Sequence, residues 1–304
     1  MRPNKQLRRK YHTDYLDQSD FSSKARLLQS IWRTEKGYDF EKYGNFLKED
    51  FAKQTGANYL TNSIFEIVKS EVENAKTQGK VISEPRIWNN LLSSQPLAFN
   101  LFGELKLNGP LATTVFEELY PDLKIEKITN IEFEHSPGRK DLKYTGDSSA
   151  FDVFVEYLTT SGQLSFFGIE VKYAEHLKDN PSSHKERYEE ISKESGFFDL
   201  SQLEKLKEKP IQQIWRDHLL ILSLFISNKD YYRGDFIYLF PSENKECANA
   251  ITKYKQTFLP NKENYFKPLT IEKIVGLLKE KSTENWIKEF EDRYLNFNKT
   301  NASW

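Results

Sequence analysis

The sequence predicts an α/β fold with an αβββαβ core, in which a mixed central sheet is flanked by N- and C-terminal helices. Three observations predict it. A helical pattern at 110–121 is followed by runs in which apolar residues alternate, as in strands, between 124 and 174. A long apolar helical segment follows at 210–227, and the short apolar strand DFIYLF comes after it. Apolar residues at helical spacing recur near both ends of the chain, so we expect helices to cover the core.

We expect four segments along the 304 residues: a basic N-terminal arm at 1–20, a helical cap region at 21–105, the α/β core at 106–245, and a C-terminal helical region packed on the core at 246–304. The arm carries four cations close together, Lys5, Arg8, Arg9 and Lys10. Such an arm is either solvated and partly ordered, or it contacts phosphates.

Composition excludes few functions. Lys and Arg (44) balance Asp and Glu (45), so net charge does not decide for or against a nucleic-acid partner. A single cysteine, Cys247, excludes an intramolecular disulfide and fits a reducing compartment. The basic start has no apolar signal-peptide core, and no run approaches the about 18 to 20 apolar residues of a membrane span. We therefore expect a soluble, cytoplasmic protein without a membrane partner.

The first core helix is predicted within PLATTVFEELYPD, between two prolines. Its apolar positions recur every four residues, at Leu111, Val115 and Leu119. Glu118 lies near this inward face, whereas Glu117 points away from it. A strand is predicted next, within KIEKITNIEFEH.

Two further strands, Phe151–Thr159 and Leu164–Ala174, are joined by a Thr-Ser-Gly turn. Because side chains alternate along a strand, Asp152 lies on one face of the first, and Glu170 and Lys172 share one face of the second. Burying ionised groups on such apolar strands is costly unless they pair or bind a metal. We favour a metal-dependent hydrolytic centre; the alternative is a structural ion pair between adjacent strands.

The second core helix is predicted in PIQQIWRDHLLILSLFIS, which is apolar on all sides from Leu219 onward. Before that point, Gln212 and Arg216 share one face, and Gln213 and Asp217 share another. Gln212 and Arg216 either take part in function or simply pair at the helix surface.

An Asp on the second strand followed by Glu-x-Lys on the third resembles the core of the PD-(D/E)XK nuclease superfamily. More narrowly, AFDVFVEY, FFGIEVKYAE and QQIWRDHLL resemble bacterial restriction endonuclease-like proteins. The resemblance covers somewhat under half of the chain. One position departs from the superfamily pattern, because Phe151 stands where many members have a proline before the Asp.

The resemblance implies a metal-dependent phosphodiesterase, a nuclease acting on DNA in restriction, defence or repair, and an endonuclease in particular. Mg²⁺ or Mn²⁺ is the cofactor it implies, since these ions take oxygen ligands and activate water. Asp152 and Glu170 would hold the ion, with the main-chain carbonyl of Val171, and Glu118 would complete the metal shell.

Lys172 would orient or deprotonate the attacking water, or stabilise the developing charge. Gln212 and Arg216 would face the phosphate. Cutting both strands of a duplex would favour a homodimer. The alternative function is a catalytically inactive protein of the same fold that binds nucleic acid or a protein partner. The sequence has no Gly-x-x-x-x-Gly-Lys phosphate loop and no Gly-x-Ser-x-Gly, which argues against ATPase and serine hydrolase activity.

Overall fold

A computed structural model of the chain describes residues 1–17, 19–175, 177 and 183–301. The strands are β1 Phe40–Lys42, β2 Phe46–Leu47, β3 Ile125–His135, β4 Phe151–Thr159, β5 Leu164–Val171, β6 Arg233–Phe240 and β7 Phe266–Thr270. The α-helices are α1 Lys5–Lys10, α2 Asp20–Glu35, α3 Glu49–Thr55, α4 Asn62–Gln78, α5 Arg86–Asn89, α6 Ser94–Leu107, α7 Gly109–Leu119, α8 Glu186–Ser195, α9 Leu203–Leu206, α10 Gln212–Ser227, α11 Lys245–Lys255, α12 Ile271–Lys281 and α13 Asn285–Tyr294.

The central sheet has five strands in the order β3-β4-β5-β6-β7. Strand β4 runs antiparallel to both β3 and β5, while β6 pairs in parallel with both β5 and β7. The predicted αβββαβ core with a mixed sheet is confirmed. The fifth strand, β7, lies in the C-terminal region that we expected to be helical. It contains Pro268, which has no N–H to donate, and an edge strand tolerates that loss.

The predicted hairpin is present, and β4 has the predicted bounds. Strand β5 ends three residues earlier than expected, at Val171. The N–H of Lys172 still donates to the Leu239 carbonyl at 2.8 Å. The N–H of Tyr173 then donates to the carboxylate of Glu175 at 2.7 Å. A side chain thus takes the place of the neighbouring strand's carbonyl as acceptor, and the strand ends.

Helices cover both faces of the sheet. On one face, α2, α4, α6, α7, α12 and α13 share a core with apolar residues of β3, β4 and β5. There the rings of Phe116 and Phe167 stack with centroids 5.3 Å apart. On the other face, α8, α10 and α11 pack on Phe154 and Phe166. Since successive residues of a strand point to opposite faces, the even-numbered residues of β5, including Glu170, face the α10 side.

The predicted N-terminal arm is folded in part, because it contains α1. Leu7 is 2 % exposed and packs with Leu27 and Ile31 of α2. Arg8 and Arg9 both pair with Asp14, at 3.0 Å each. Two of the four clustered cations, Arg8 and Arg9, are thus paired within the segment. Among the described residues no helix is both long and apolar enough to cross a membrane.

Candidate active site

A cleft with a volume of about 360 Å³ opens where β3 and β5 end and β4 begins. Its lining comes from five parts of the chain: Val81 after α4, Glu134 of β3, residues 147–150 with Asp152 of β4, Glu170 of β5, and Gln213, Arg216 and Asp217 of α10. In an open α/β sheet this is the usual edge for a ligand, beyond the carboxyl ends of the parallel strands.

Three carboxylates cross this edge of the sheet in register. The pairs Phe133–Val153 and His135–Phe151 of β3 and β4 leave Glu134 opposite Asp152. Continuing the register of β4 and β5 one residue beyond the pair Val153–Ile169 puts Asp152 opposite Glu170. All three line the cleft. Neighbouring strands lie about 5 Å apart, so three like charges are gathered on one small surface.

The Asp152 carboxylate also holds the two central strands together. Its Oδ2 accepts the N–H of Val171 at 2.7 Å, just beyond the last paired residues of β4 and β5. Burial, and then the charges of Glu170 and Glu134, raise the pKa of Asp152 well above its ordinary value. Within the cleft this carboxylate therefore needs a cation nearby in order to stay ionised.

Lys172 supplies one such cation. Its ammonium group contacts Oε1 of Glu170, and both side chains are buried, with exposures of 5 % and 9 %. Burial alone would lower the pKa of Lys172, but the charges of Glu170, Asp217 and Asp152 outweigh it and raise the pKa above its ordinary value. The structure thus brings Asp152, Glu170 and Lys172 together as an interacting group.

Glu134 was missed by the reasoning from sequence. It has φ +51°, a left-handed conformation that is uncommon for residues other than glycine. Its Oε1 accepts a hydrogen bond from Nε2 of Gln95, at the start of α6, so the N-terminal helical region contacts the site directly. Burial raises the pKa of Glu134 to about 7, with the Gln95 hydrogen bond opposing and the Glu170 charge adding to the shift.

Helix α10 contributes a fourth carboxylate, Asp217. It is 7 % exposed, and its Oδ1 lies 3.8 Å from the guanidinium of Arg216. Its Oδ2 is buried and accepts no hydrogen bond from the residues that the structure describes. Burial, with the charge of Glu170, raises the pKa of Asp217 to about 7 against the opposing charges of Arg216 and Lys172.

Two predicted site residues lie elsewhere. Glu118 is on the exposed side of α7 and pairs with Lys281 of α12 at 3.0 Å. Helix α7 packs on the Phe167 face of the sheet, opposite to the face that carries Glu170, so the structure does not bring Glu118 to the cleft. Gln212 is buried with 5 % exposure, and its neighbour Gln213 lines the cleft instead. Arg216 does line the cleft.

Val171 is placed beside the site but is fully buried. The structure shows its N–H engaged by Asp152.

The sequence shows the alternation of strand β3, which contains Glu134, but this alternation does not tell which face Glu134 occupies. Strand β3 pairs with β4 through two register irregularities, between Ile125 and Lys127 and between Ile128 and Asn130. Each irregularity shifts the alternation of faces, so the face of Glu134 could not be read from the spacing of apolar residues. Asp147 was also missed; it follows a polar loop, where no periodicity assigns a direction.

A comparison with protein-family models identifies the superfamily of the chain. The model of the PD-(D/E)XK nuclease superfamily matches residues 16–296. The chain belongs to the PD-(D/E)XK nuclease superfamily. Its members are generally nucleases and typically use divalent metal ions. Comparisons with the curated proteins and with solved structures gave no match.

The residues of this PD-(D/E)XK site fit a divalent ion of the hard, oxygen-preferring kind. Among the described residues no three His, Cys, Asp or Glu side chains already converge on one point. Mg²⁺, however, keeps several waters and needs only one or two protein carboxylates. Asp152 and Glu170 would provide these, and burial together with the charges of Glu170 and Glu134 raises the pKa of Asp152, a state that a bound cation would oppose.

Proposed function

We propose that this chain is a divalent-metal-dependent nuclease, an endonuclease of the restriction, defence or repair type that hydrolyses phosphodiester bonds in DNA. One observation carries the proposal. Asp152 and Glu170 face each other across β4 and β5 in a cleft, with Lys172 in contact with Glu170. A structural ion pair alone would not explain why three carboxylates share this edge with a single buried lysine, since uncompensated buried charge is costly.

Asp152 and Glu170 would hold the ion, Mg²⁺ or Mn²⁺, and Glu134 is the third carboxylate within the same row. The main-chain carbonyl of Val171 remains part of the proposed shell. The ion would supply Lewis acidity at the phosphate and a more acidic water. The chain's contribution is a row of oxygen donors fixed by the strand register and by the Val171 N–H.

The charge of the cleft supports a metal requirement. Five carboxylates line it, from Glu134, Asp147, Asp152, Glu170 and Asp217, against one guanidinium. A phosphodiester is itself an anion, and like charges a few ångströms apart in a partly desolvated cleft repel strongly. A bound divalent cation would convert this repulsion into attraction, so substrate binding and turnover should both depend on it.

Lys172 would act as a cation. Because the charges of Glu170, Asp217 and Asp152 raise the pKa of Lys172 despite its burial, we assign it the role of a cation and not that of a general base. It would stabilise the negative charge that develops on the phosphate oxygens and hold Glu170 in place. Of the three roles considered from sequence, charge stabilisation is the one that we propose.

Arg216 and Gln213 of α10 would contact the phosphate from the opposite wall. Both line the cleft, and a guanidinium is suited to bidentate recognition of phosphate oxygens. Gln213 takes the place that we first gave to Gln212.

The test is metal-dependent cleavage by the full chain and four variants. Duplex, single-stranded and branched DNA and RNA are incubated with Mg²⁺, Mn²⁺ or Ca²⁺. We expect cleavage of DNA with Mg²⁺ and Mn²⁺ but not with Ca²⁺, whose longer bonds and looser geometry position water poorly. Asp152→Asn and Glu170→Gln should abolish it, and Lys172→Met should remove most turnover while leaving metal binding largely in place.

Glu118→Gln is the matched control, because it removes an exposed carboxylate that the structure places outside the cleft. It should cleave like the wild type. Equal activity in all five proteins would mean that a contaminant is responsible. A wild type that binds DNA and cuts no substrate would favour the catalytically inactive alternative. Linear rather than nicked product from circular DNA, with a second-order dependence on protein, would support a homodimer.

A further inference from the structure

The carboxylate of Glu175 joins two parts of the chain that are far apart in the sequence and that both lead to the cleft. Its Oε2 accepts the N–H of Tyr173 at 2.7 Å, directly after Lys172. Its Oε1 accepts the N–H of Ser94, the first residue of α6, at 3.0 Å. One side chain thus holds the chain that leaves β5 against the start of an N-terminal helix.

The start of α6 carries the contact to the row of carboxylates. Gln95, the residue after Ser94, donates through Nε2 to Oε1 of Glu134 and, at 3.2 Å, to the carbonyl of Val81. Both Glu134 and Val81 line the cleft. Because a helix moves largely as a rigid element, a displacement of Ser94 would also displace the Gln95 side chain and weaken its hold on Glu134.

Helix α6 depends on Glu175 because its own cap residue is engaged elsewhere. Ser93 stands at the N-cap position, but within the described chain its side chain makes no capping bond to the helix. Its hydroxyl accepts the Nε–H of Arg86 at 2.9 Å instead, and the same guanidinium lies 3.8 Å from Oε1 of Glu175. The first N–H groups of a helix need acceptors, and a negative charge there is favourable. Glu175, 81 residues after Ser94, supplies both.

The other oxygen of Glu175 fixes the backbone beside Lys172. Besides the N–H of Tyr173, the carbonyl of Tyr173 is engaged, because it accepts a hydrogen bond from Nδ2 of Asn244 at 3.1 Å. The peptide groups that follow Lys172 are therefore held on both sides. Its ammonium group reaches Glu170 from this fixed base, so the position of the Lys172 charge depends on the Glu175 contact.

We propose that Glu175 is a positioning residue of the metal site, which fixes the separation between Lys172 on one side of the cleft and the Gln95–Glu134 contact on the other. The inference rests on the proposed nuclease function. Glu175 does not line the cleft, so it would act through these neighbours and not by binding the ion or the phosphate. Residues that orient the ligands of a metal typically change metal affinity or activity by about 10- to 100-fold when they are replaced.

The test compares the wild type with Glu175→Ala and Glu175→Gln, by calorimetric Mg²⁺ binding without nucleic acid and by cleavage kinetics at saturating Mg²⁺. Glu175→Ala removes both acceptors and should weaken Mg²⁺ binding by about tenfold or more. Its kcat should fall while KM for the nucleic acid changes little, because no contact with the substrate is lost. Glu175→Gln keeps the shape and one acceptor oxygen, so it should recover part of both the affinity and kcat.

Glu272→Ala is the matched control. The carboxylate of Glu272 also accepts a backbone N–H just beyond the end of a sheet strand, that of Ser242 at 3.0 Å, and it does not line the cleft. This variant should lose stability in urea unfolding, as Glu175→Ala should, yet bind Mg²⁺ like the wild type.

Mg²⁺ affinity of Glu175→Ala equal to that of the wild type would overturn the inference, and so would an equal loss of affinity in Glu272→Ala. Should Glu175→Ala fail to fold, Glu175→Gln decides alone: weaker Mg²⁺ binding than the wild type supports the positioning role, and equal binding overturns it. A wild type that binds no divalent ion would instead overturn the proposed function itself.

Discussion

Replacing Glu134 by Gln should change how the stability of the metal-free protein depends on pH. The pKa of the Glu134 carboxyl is raised from its ordinary 4.5 to about 7, first by burial and then by the Glu170 charge. An acid of this kind keeps its proton in the folded protein after the unfolded chain has lost it. It therefore favours the folded state below about pH 4.5, and the advantage is lost as the pH rises through about 7.

The magnitude follows from the size of the shift. One pKa unit corresponds to about 1.4 kcal/mol, so a shift from 4.5 to about 7 corresponds to about 3 kcal/mol of unfolding free energy. Glutamine has nearly the same shape, can accept the Gln95 hydrogen bond and does not titrate. Relative to Glu134→Gln, the wild type should thus lose about 3 kcal/mol of stability between pH 4.5 and 7.

The measurement is urea unfolding of both proteins in EDTA across this pH range. The quantity to compare is the difference in unfolding free energy between the two proteins, because other groups also titrate in this pH range. Burial lowers the pKa of His218 to about 3, which by itself makes stability rise with pH up to about 6.5. Asp217, with its pKa raised to about 7, acts in the same direction as Glu134. Both groups are present in both proteins, so their contributions largely cancel in the difference. Asp152 does not cancel, because the Glu134 charge is one of the causes that raise its pKa, and its contribution adds to the difference in the same direction.

A divalent ion should remove the loss of stability that the Glu134 carboxylate causes as the pH rises. Since the ion binds the ionised carboxylates, the wild type at pH 7 should gain about 2.7 kcal/mol at a metal concentration of 100 times Kd. Glu134→Gln should gain less at the same concentration. A wild type whose stability relative to Glu134→Gln is constant or rises between pH 4.5 and 7 would refute the placement of this carboxylate in a crowded, buried row.

Two further predictions concern hydrogen bonds. Gln95→Ala removes the donor to Glu134 and should weaken Mg²⁺ binding several-fold by calorimetry, whereas Gln78→Ala, on the exposed end of α4, should not; equal affinities would show that the Gln95 contact does not position the site. Arg293 is fully buried and donates two hydrogen bonds to Asn58 at 2.7 and 2.6 Å. Arg293→Leu removes the donor to Asn58 Oδ1 and to Gln29 Oε1, while the Asn58 carbonyl keeps its hydrogen bond from Asn100. The change should cost about 3 to 5 kcal/mol in urea unfolding; a loss below about 1 kcal/mol would contradict this.

The hairpin could be predicted from the sequence because its signals are local. Alternation over Phe151–Thr159 and a Thr-Ser-Gly turn define two antiparallel strands, and the turn fixes their register. Asp152 and Glu170 then fall opposite each other as a consequence of local geometry. The superfamily core followed from the order of elements around that hairpin.

Residues contributed by other segments were harder to predict because their direction depends on tertiary packing. Helical spacing puts Glu118 near the inward side of α7, and only the resemblance gives it a place in the metal shell; spacing does not tell which face of the sheet α7 covers. Gln212 and Gln213 differ by 100° around α10, and the choice between them depends on how the helix is rotated on the sheet. Because the helix is apolar on nearly all sides beyond Leu219, the sequence does not indicate how it is rotated on the sheet.

The N-terminal helical region, which the superfamily resemblance does not cover, forms part of the cleft wall. Gln95 of α6 bonds both to Glu134 and, at 3.2 Å, to the Val81 carbonyl, so the segment after α4 is tied to the row of carboxylates. Helices of the N-terminal region share one hydrophobic core with the sheet, and a single core cannot be loosened at one end without cost at the other. The N-terminal region is therefore expected to influence metal binding through Glu134, although it contributes no carboxylate to the lining of the cleft.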